Sequence, residues 1–251
     1  MKKETNFTLY VVGISAVLLL ISLLNYAHTA NASPILTTLG PIALAFDSSN
    51  GEIYAANGLA NNVKVIDGAT NAVIKSIRVG SFPDAIAFDS INRAMYIANA
   101  DSNTVSVIDG ATNTVVKTID VGIFPDAIAF DSINGCIYVA NDYPYPNQDT
   151  ISIINGTSNT VIKTIDVGNG PDAIAFDSVN GEIFIANAHS NTVSVIDGAT
   201  NTVIKTIDVG IVPDAIAFDS TNGAMYVANA DSNTVSVIDG ATNTVIKTIY
   251  L

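Results

Sequence analysis

The most regularly spaced carboxylates in this sequence follow a repeated proline. The segment Pro-Asp-Ala-Ile-Ala-Phe-Asp occurs four times, and its first aspartates are Asp84, Asp126, Asp172 and Asp214. Copies placed around one axis would bring these residues into a partial ring, and carboxylate oxygens are ligands for a hard cation such as Ca²⁺. Alternatively, each aspartate accepts backbone N–H bonds at the turn that enters a strand. We favour the turn role, because nothing else in the sequence marks a cation-binding loop.

Few other residues offer catalytic chemistry. Cys136 is the only cysteine, and its equivalents in the other copies are Glu or Ala, so we expect a structural thiol. His189 is the only histidine within the repeats, and one histidine cannot form a histidine-based zinc or copper site. Catalysis needs unlike groups that converge, whereas near-identical copies repeat the same group. We therefore predict no enzymatic activity and no cofactor; a lactonase or lyase that uses a channel-bound divalent cation is the alternative.

A proline-rich insertion breaks the repeat and is the best candidate for a contact site. Residues 141–150, "NDYPYPNQDT", are four residues longer than the equivalent "NADSNT". Tyr143 and Tyr145 alternate with prolines there, and stiffly held aromatic side chains lose little entropy on binding. A tolerated surface insertion is the plainer interpretation. Asn31 and Asn155 begin sequons that permit glycosylation of an exported protein.

The repeat itself predicts the elements that position these residues. The repeated proline falls at 41, 83, 125, 171 and 213, a period of 42 to 46 residues. That period, filled with short β-type segments and Asn-Gly or Asp-Gly turns, is typical of a β-propeller with four strands per blade. The apolar "DAIAF" is predicted to be the innermost strand, and "TVIKTI", which carries Lys, the outermost. The predicted blades are 41–82, 83–124, 125–170, 171–212 and 213–251.

The all-β fold raises the question of whether five blades close into a ring. An open array exposes two apolar sheet faces, so closure is the expectation. A truncated fragment of a longer surface array is the alternative.

The N-terminus and the charge limit the location and the partners. A positive start, an apolar run at 7–24 and the triplet Ala30-Asn31-Ala32 predict a signal peptide or membrane-anchor helix over residues 1–32, followed by a linker at 33–40. The remainder would then be extracellular, secreted or anchored at the cell surface, and would meet a membrane only through that segment. The formal net charge of −13 repels phosphate backbones, so no nucleic-acid partner is expected.

Short motifs in the second strand of each copy carry a family resemblance. "YVAN" stands at 138–141 and 226–229, with "YAAN", "YIAN" and "FIAN" in the other copies. Over nearly all of residues 41–251 the chain resembles the YVTN family of β-propeller repeats, with Ala in place of the third-position Thr. This resemblance implies a surface-layer-like exported propeller. We therefore expect a non-catalytic binding or structural module whose partners are surface proteins, glycans or a like subunit.

Overall fold

The structure, a computed structural model, describes residues 40–142 and 149–251, and within them the fold is all-β. The predicted leader helix over residues 1–32 lies outside the described residues. Two short 3₁₀ helices interrupt the strands, at Ala100–Ser102 and Ala230–Ser232. Among the described residues, no helix is long and apolar enough to cross a membrane.

The strands form five antiparallel sheets, one for each copy of the repeat. Blade 1 contains β1 (Ala43–Asp47), β2 (Glu52–Asn57), β3 (Asn62–Asp67) and β4 (Ala72–Arg78). Blade 2 contains β5 (Pro83–Asp89), β6 (Ala94–Asn99), β7 (Thr104–Asp109) and β8 (Thr114–Asp120). Blade 3 contains β9 (Pro125–Asp131), β10 (Cys136–Asn141), β11 (Thr150–Asn155) and β12 (Thr160–Asp166).

The last two copies repeat this arrangement. Blade 4 contains β13 (Pro171–Asp177), β14 (Glu182–Asn187), β15 (Thr192–Asp197) and β16 (Thr202–Asp208). Blade 5 contains β17 (Pro213–Asp219), β18 (Ala224–Asn229), β19 (Thr234–Asp239) and β20 (Thr244–Tyr250). Strands within each blade pair in chain order, as an up-and-down meander.

The order of strands within a blade agrees with the sequence prediction. The first strands of consecutive blades contact one another, β1 with β5, β5 with β9, β9 with β13 and β13 with β17, so they are innermost. The fourth strands are mostly exposed, as in β8 and β12. The polar side chains of the fourth strand therefore face water, while the apolar first and second strands are covered by neighbouring blades.

Each blade has two different apolar faces, which explains why every copy needs a neighbour. We call the face toward the following blade the forward face and the other the rear face. The forward face of blade 3 carries Tyr138 and Ile153, which pack on Ile183, Ile185 and Ile196 of the rear face of blade 4. Equivalent clusters join blades 1 and 2, 2 and 3, and 4 and 5. Burial of these side chains supplies the main stabilisation of the array.

A hydrogen bond between side chains accompanies three of these four apolar contacts. The hydroxyl of a tyrosine on the forward face donates to an asparagine Oδ1 in the turn between the last two strands of the following blade. The three bonds are Tyr54 to Asn113 at 2.5 Å, Tyr96 to Asn159 at 2.6 Å and Tyr138 to Asn201 at 2.5 Å. The asparagine has a positive φ, a conformation that Asn tolerates better than most residues.

The turns between the first two strands follow the sequence prediction. Asp47 and Asp131 each accept a bond through Oδ1 from the backbone N–H two residues later, which is an Asx-turn. The turn requires a positive φ at its fourth residue after the aspartate, which Gly51 and Gly135 supply; Arg93 adopts φ 57° at the same place in blade 2.

Closure of the ring, expected from the sequence, is not seen in this structure. Among the described residues, the apolar clusters join consecutive blades, and none joins blade 5 to blade 1. The rear face of blade 1 exposes Phe46 (56%) and Leu44 (64%). Within the described residues, the five blades therefore form an array in which the rear face of blade 1 and the forward face of blade 5 have no neighbouring blade.

Candidate carboxylate site

The aspartates that follow the repeated proline lie in β-bulges. In blade 3, Asn141 pairs with Pro125 and Ala140 pairs with Ala127, so Asp126 has no residue opposite it. The same shift leaves Asp172 unpaired in blade 4. Proline has no N–H to give to the ladder, and a bulge re-aims the side chain of its extra residue. The bulge therefore turns these carboxylates out of the alternating pattern of the strand.

A positive φ before the proline also fixes the start of each inner strand. Phe82, Phe124 and Val212 have φ values of 52° to 54°, and Gly170 has φ 67° at the same place in blade 4. The N–H of Phe124 donates to Asn103 Oδ1, and the N–H of Gly170 donates to Asp149 Oδ2. In both cases a side chain that precedes the third strand of one blade holds the positive-φ residue at the start of the next blade. A residue with a Cβ carries backbone strain in that conformation.

Three carboxylates from two blades meet at this position. Asp126, Asp142 and Asp172 each offer an oxygen, and these oxygens all lie within 4.8 Å of one another. All three residues are half-buried. Oδ1 of Asp126 and Oδ1 of Asp142 are shielded from solvent and have no hydrogen-bond partner among the described residues. The expected backbone bond therefore does not account for Asp126 Oδ1.

Burial and mutual repulsion disfavour the ionised forms of the cluster. Burial, followed by the charges of Asp172, Asp142 and Asp84, raises the pKa of Asp126 well above its ordinary value. Burial also raises the pKa of Asp172 to about 6, and the charge of Asp142 adds to the effect. The pKa of Asp142 is raised by burial and then by Asp149. Such a cluster lowers its own energy by taking up protons or a cation.

The two remaining predicted carboxylates occupy the edges of this group. Burial, followed by the charge of Asp101, raises the pKa of Asp84 to about 6, and its charge in turn acts on Asp126. Asp214 is exposed, and its charge acts on Asp172. Asp84 therefore lies near Asp126, and Asp214 lies near Asp172. Of the four predicted residues, only Asp126 and Asp172 belong to the cluster of three carboxylates.

The structure adds two residues that sequence reasoning did not assign to the site. Asp142 replaces the small residue that the other blades carry there, Gly58 or Ala100 for example. His189 is exposed and lowers the pKa of both Asp142 and Asp172 by its charge. Position-by-position comparison of the repeats contains this signal, because both residues are unique to their copies.

The other predicted positions have separate outcomes. Tyr143, Tyr145 and Asn31 lie outside the described residues. Asn155 ends β11, and its Oδ1 accepts bonds from the N–H groups of Thr157 and Ser158. Glycosylation at Asn155 stays a prediction. Cys136 is buried in the core between blades 3 and 4, and burial raises its pKa. A neutral buried thiol is a packing residue, as the sequence predicted.

The chemistry available at the cluster is that of hard oxygen ligands. Three carboxylates match the ligands that Ca²⁺ takes in proteins, and a cation would neutralise the repulsion that raises their pKa values.

Comparisons with known proteins agree with the architecture. The five four-stranded blades define a β-propeller. Within that class the chain belongs to the choice-of-anchor I domain family, whose model matches residues 44–251. The family's name refers to anchoring, which fits association with the cell surface. No curated protein matches the chain.

Two solved structures show the fold in other settings. One is hydrazine synthase of Kuenenia stuttgartiensis, with a TM-score of 0.64, 17% identity, and 84% of this chain and 80% of that chain covered. The other is a chain of a nidogen/laminin complex, with a TM-score of 0.63, 18% identity and the same coverage. At this identity the likeness concerns the fold alone.

Proposed function

We propose that the protein is a non-catalytic, surface-associated propeller that binds a protein or glycan partner beside the carboxylate cluster, with a divalent cation such as Ca²⁺ held by Asp126, Asp142 and Asp172. The observation that carries this proposal is the pair of shielded carboxylate oxygens, on Asp126 and Asp142, that have no hydrogen-bond partner within residues 40–142 and 149–251. An unpaired buried oxygen is costly, and a cation would satisfy it. The YVTN resemblance and the family name support the surface location.

The cluster also marks where the partner would bind. Asp142 and Asp149 border residues 143–148, so the predicted anchors Tyr143 and Tyr145 are close in sequence to a cation ligand. Cation and aromatic groups together form a common kind of polar-plus-apolar contact surface. We propose that the tyrosines supply the apolar contacts and that the cation fixes the carboxylates beside them.

The first test is a thermal melt of the full chain with and without Ca²⁺ at pH 7. A ligand that binds the folded state raises the melting temperature, so Ca²⁺ is expected to raise it and a chelator to reverse the rise. Asp126→Asn should raise the melting temperature in chelator, because it removes a buried charge, and should abolish the response to Ca²⁺. Asp214→Asn is the matched control at the same repeat position and should keep the response. An unchanged response in Asp126→Asn would remove the cation from the proposal.

The second test addresses the partner. The full chain is screened against surface glycans and surface-protein extracts of the source cells, alongside Tyr143→Ala and Tyr145→Ala. Loss of at least about tenfold in affinity is expected for an anchor, since truncating a buried aromatic contact costs more than 1.4 kcal/mol. Equal binding by the variants and the parent would reject these tyrosines as anchors.

A metal-dependent lactonase or lyase is the second candidate, and His189 favours it. This histidine brings an unlike group beside Asp142 and Asp172, where a cation-activated water would need a base. The binding proposal predicts no turnover of lactone or uronate substrates with Ca²⁺, Mn²⁺ or Zn²⁺ added. Turnover that needs the cation and falls in His189→Asn would replace the binding function by the enzymatic one.

A further inference from the structure

The rear face of blade 1 is an apolar surface without a neighbouring blade. Leu44 and Phe46 on β1 are 64% and 56% exposed. Their equivalents in blade 2, Ile86 and Phe88, pack into the cluster between blades 1 and 2. The first-strand side chains that contribute to every internal interface are therefore present and exposed on blade 1, whereas Ala55 and Lys64 replace the residues equivalent to Ile97 and Ser106.

The forward face of blade 5 is uncovered in the complementary way. Tyr226 is partly exposed, whereas Tyr54, Tyr96 and Tyr138 are 0% exposed at the same position. Ala217 on β17 is exposed as well. Blade 5 thus offers the second half of the same interface.

The polar groups of the internal interface are also divided between the two ends. Tyr54, Tyr96 and Tyr138 each donate to an asparagine of the next blade. Tyr226 holds the donor position in blade 5, and its oxygen accepts a bond from Asn222 of its own turn. Asn71 holds the acceptor position in blade 1; it is exposed and has φ 58°, close to the 56° of Asn113. The donor and acceptor of one further bond are therefore placed at opposite ends of the chain.

A close contact between an aspartate and a glycine completes the match. Asp47 is buried against Gly110 of the next blade, where a Cβ would lie 2.7 Å from Asp47 Oδ2. Asp89, Asp131 and Asp177 repeat this contact with Gly156, Gly198 and Gly240. In blade 5 the aspartate is Asp219, which is partly exposed, and in blade 1 the glycine is Gly68, which is exposed. A glycine leaves room for the carboxylate; in blade 1 the carbonyl oxygen of Gly51 lies too close to Gly68 for a Cβ there, and this contact requires the glycine as well.

We propose that a second copy of this chain docks head to tail, with the forward face of blade 5 of one copy on the rear face of blade 1 of the next. A second copy is the occupant we infer, because the chain already forms this kind of contact four times, between each pair of consecutive blades. The contact joins two different surfaces, so it is heterologous and forms a ring where its rotation closes and a filament where it does not. It buries both apolar faces that a separate chain leaves in water.

The test uses charged substitutions that block one end at a time in the full chain. Phe46→Asp blocks the rear face of blade 1, and Tyr226→Asp blocks the forward face of blade 5. Ile204→Asp is the matched control, because Ile204 is 49% exposed on an outer strand away from both faces. Sedimentation over a concentration series at physiological salt measures the assembly, since salt screens the repulsion between copies of net charge −13.

The expected result distinguishes this contact from any other. The parent and Ile204→Asp associate, whereas each end variant alone is monomeric, with association weakened more than about tenfold. An equimolar mixture of the two end variants forms dimers and nothing larger, because each supplies the face that the other lacks. The N-terminal apolar segment is present in all variants, so association through it would not separate them.

Three outcomes would overturn the proposal. A monomeric parent shows that the end faces are covered within one chain or stay in water. Self-association of Phe46→Asp or Tyr226→Asp alone shows a contact between like faces or elsewhere. A mixture that stays monomeric shows that the two ends do not meet. Leu44→Asp and Ala217→Asp repeat the design with other residues, and circular dichroism confirms folding of each variant.

Discussion

At the scale of single residues, the contact between blades 4 and 5 lacks a group that the others have. Phe184 stands where blades 1, 2 and 3 carry tyrosine, and Asn243 is the equivalent acceptor in blade 5. Asn243 is 8% exposed, and its buried Oδ1 has no hydrogen-bond partner in the part of the chain that the structure describes. The three bonded asparagines show that a tyrosine hydroxyl is the group that satisfies this oxygen.

We therefore expect Phe184→Tyr to stabilise the protein. The new hydroxyl would pair with Asn243 Oδ1, and a buried hydrogen bond contributes about 1 kcal/mol. The reciprocal change, Tyr96→Phe, should lower the unfolding free energy by about the same amount, since it leaves Asn159 Oδ1 unpaired. Urea denaturation of the parent and the two variants measures both changes in unfolding free energy. Destabilisation by Phe184→Tyr would show that the space at blade 4 differs from that at its neighbours.

The raised pKa values of the carboxylate cluster predict a pH dependence. Asp84 and Asp172 have pKa values of about 6 against an ordinary 3.8, so the folded state keeps protons that the unfolded chain has already released. The unfolding free energy therefore falls as pH rises between about 4 and about 6, and the strongly raised pKa of Asp126 adds to this fall. In chelator, the melting temperature should be higher at pH 5 than at pH 7, by about 2 °C or more.

The control for this pH dependence lies within the repeat. Combining Asp84→Asn, Asp126→Asn and Asp172→Asn should flatten the fall between pH 5 and pH 7, because the three groups with raised pKa values are removed. Asp214→Asn should change the fall little. A slope that survives the triple substitution would assign the effect to the overall acidic charge.

At the scale of elements, the turn between β5 and β6 carries an unfavourable backbone conformation. Arg93 has φ 57°, whereas Gly51, Gly135, Gly181 and Gly223 occupy the same place in the other blades. A residue with a Cβ pays about 1 kcal/mol or more in the left-handed region. The side chain of Arg93 is exposed, so little packing is lost on its removal.

Arg93→Gly is therefore expected to raise the unfolding free energy by about 0.5–1 kcal/mol. Gly135→Ala is the reciprocal test: a Cβ there would meet only Ile91 Cδ1, at 3.7 Å, so its cost reports the backbone conformation alone. It should destabilise by a similar amount. Differential scanning calorimetry of both variants measures the change in unfolding free energy. No change in Arg93→Gly would mean that the arginine contributes a compensating contact.

The strands were predictable because each has its own pattern, whereas the bulges and the cluster were not. The apolar "DAIAF" and the Lys-bearing fourth strand gave the radial order that the structure confirms. The position of Asp126 depends on which residue Asn141 pairs with, a tertiary detail that strand periodicity does not encode. Asp142 lies within the longer segment at 141–150, and only its alignment with Ala100 and Ala188 shows that a carboxylate replaces a small residue there.

At the scale of the whole molecule, stability should vary along the array. Blade 3 is covered on both faces, whereas blade 5 is covered on one. In a repeat protein each covered face adds a nearest-neighbour term to local stability.

Closure of the ring could not be predicted from the sequence, because it depends on the rotation between blades, which identical copies do not reveal.

We expect native-state hydrogen exchange to be slower in β10 than in β18. Both strands have similar sequences, Cys136–Asn141 and Ala224–Asn229, so the comparison isolates the effect of position. Mass spectrometry of peptic peptides at a concentration where the chain is monomeric measures the difference. Equal protection of the two strands would indicate that the ends are held by a contact equivalent to an internal one.

The near-identity of the interfaces has a consequence for folding. Because every forward face resembles every other, an unfinished chain cannot distinguish its own next blade from one on a neighbouring molecule, and repeat proteins misassemble by such exchange. Synthesis from the N-terminus would limit these errors, because blade 1 folds first. Each later blade then meets the preceding blade of its own chain before it meets a blade of another molecule. Refolding from denaturant should therefore give lower yields at high protein concentration than synthesis does.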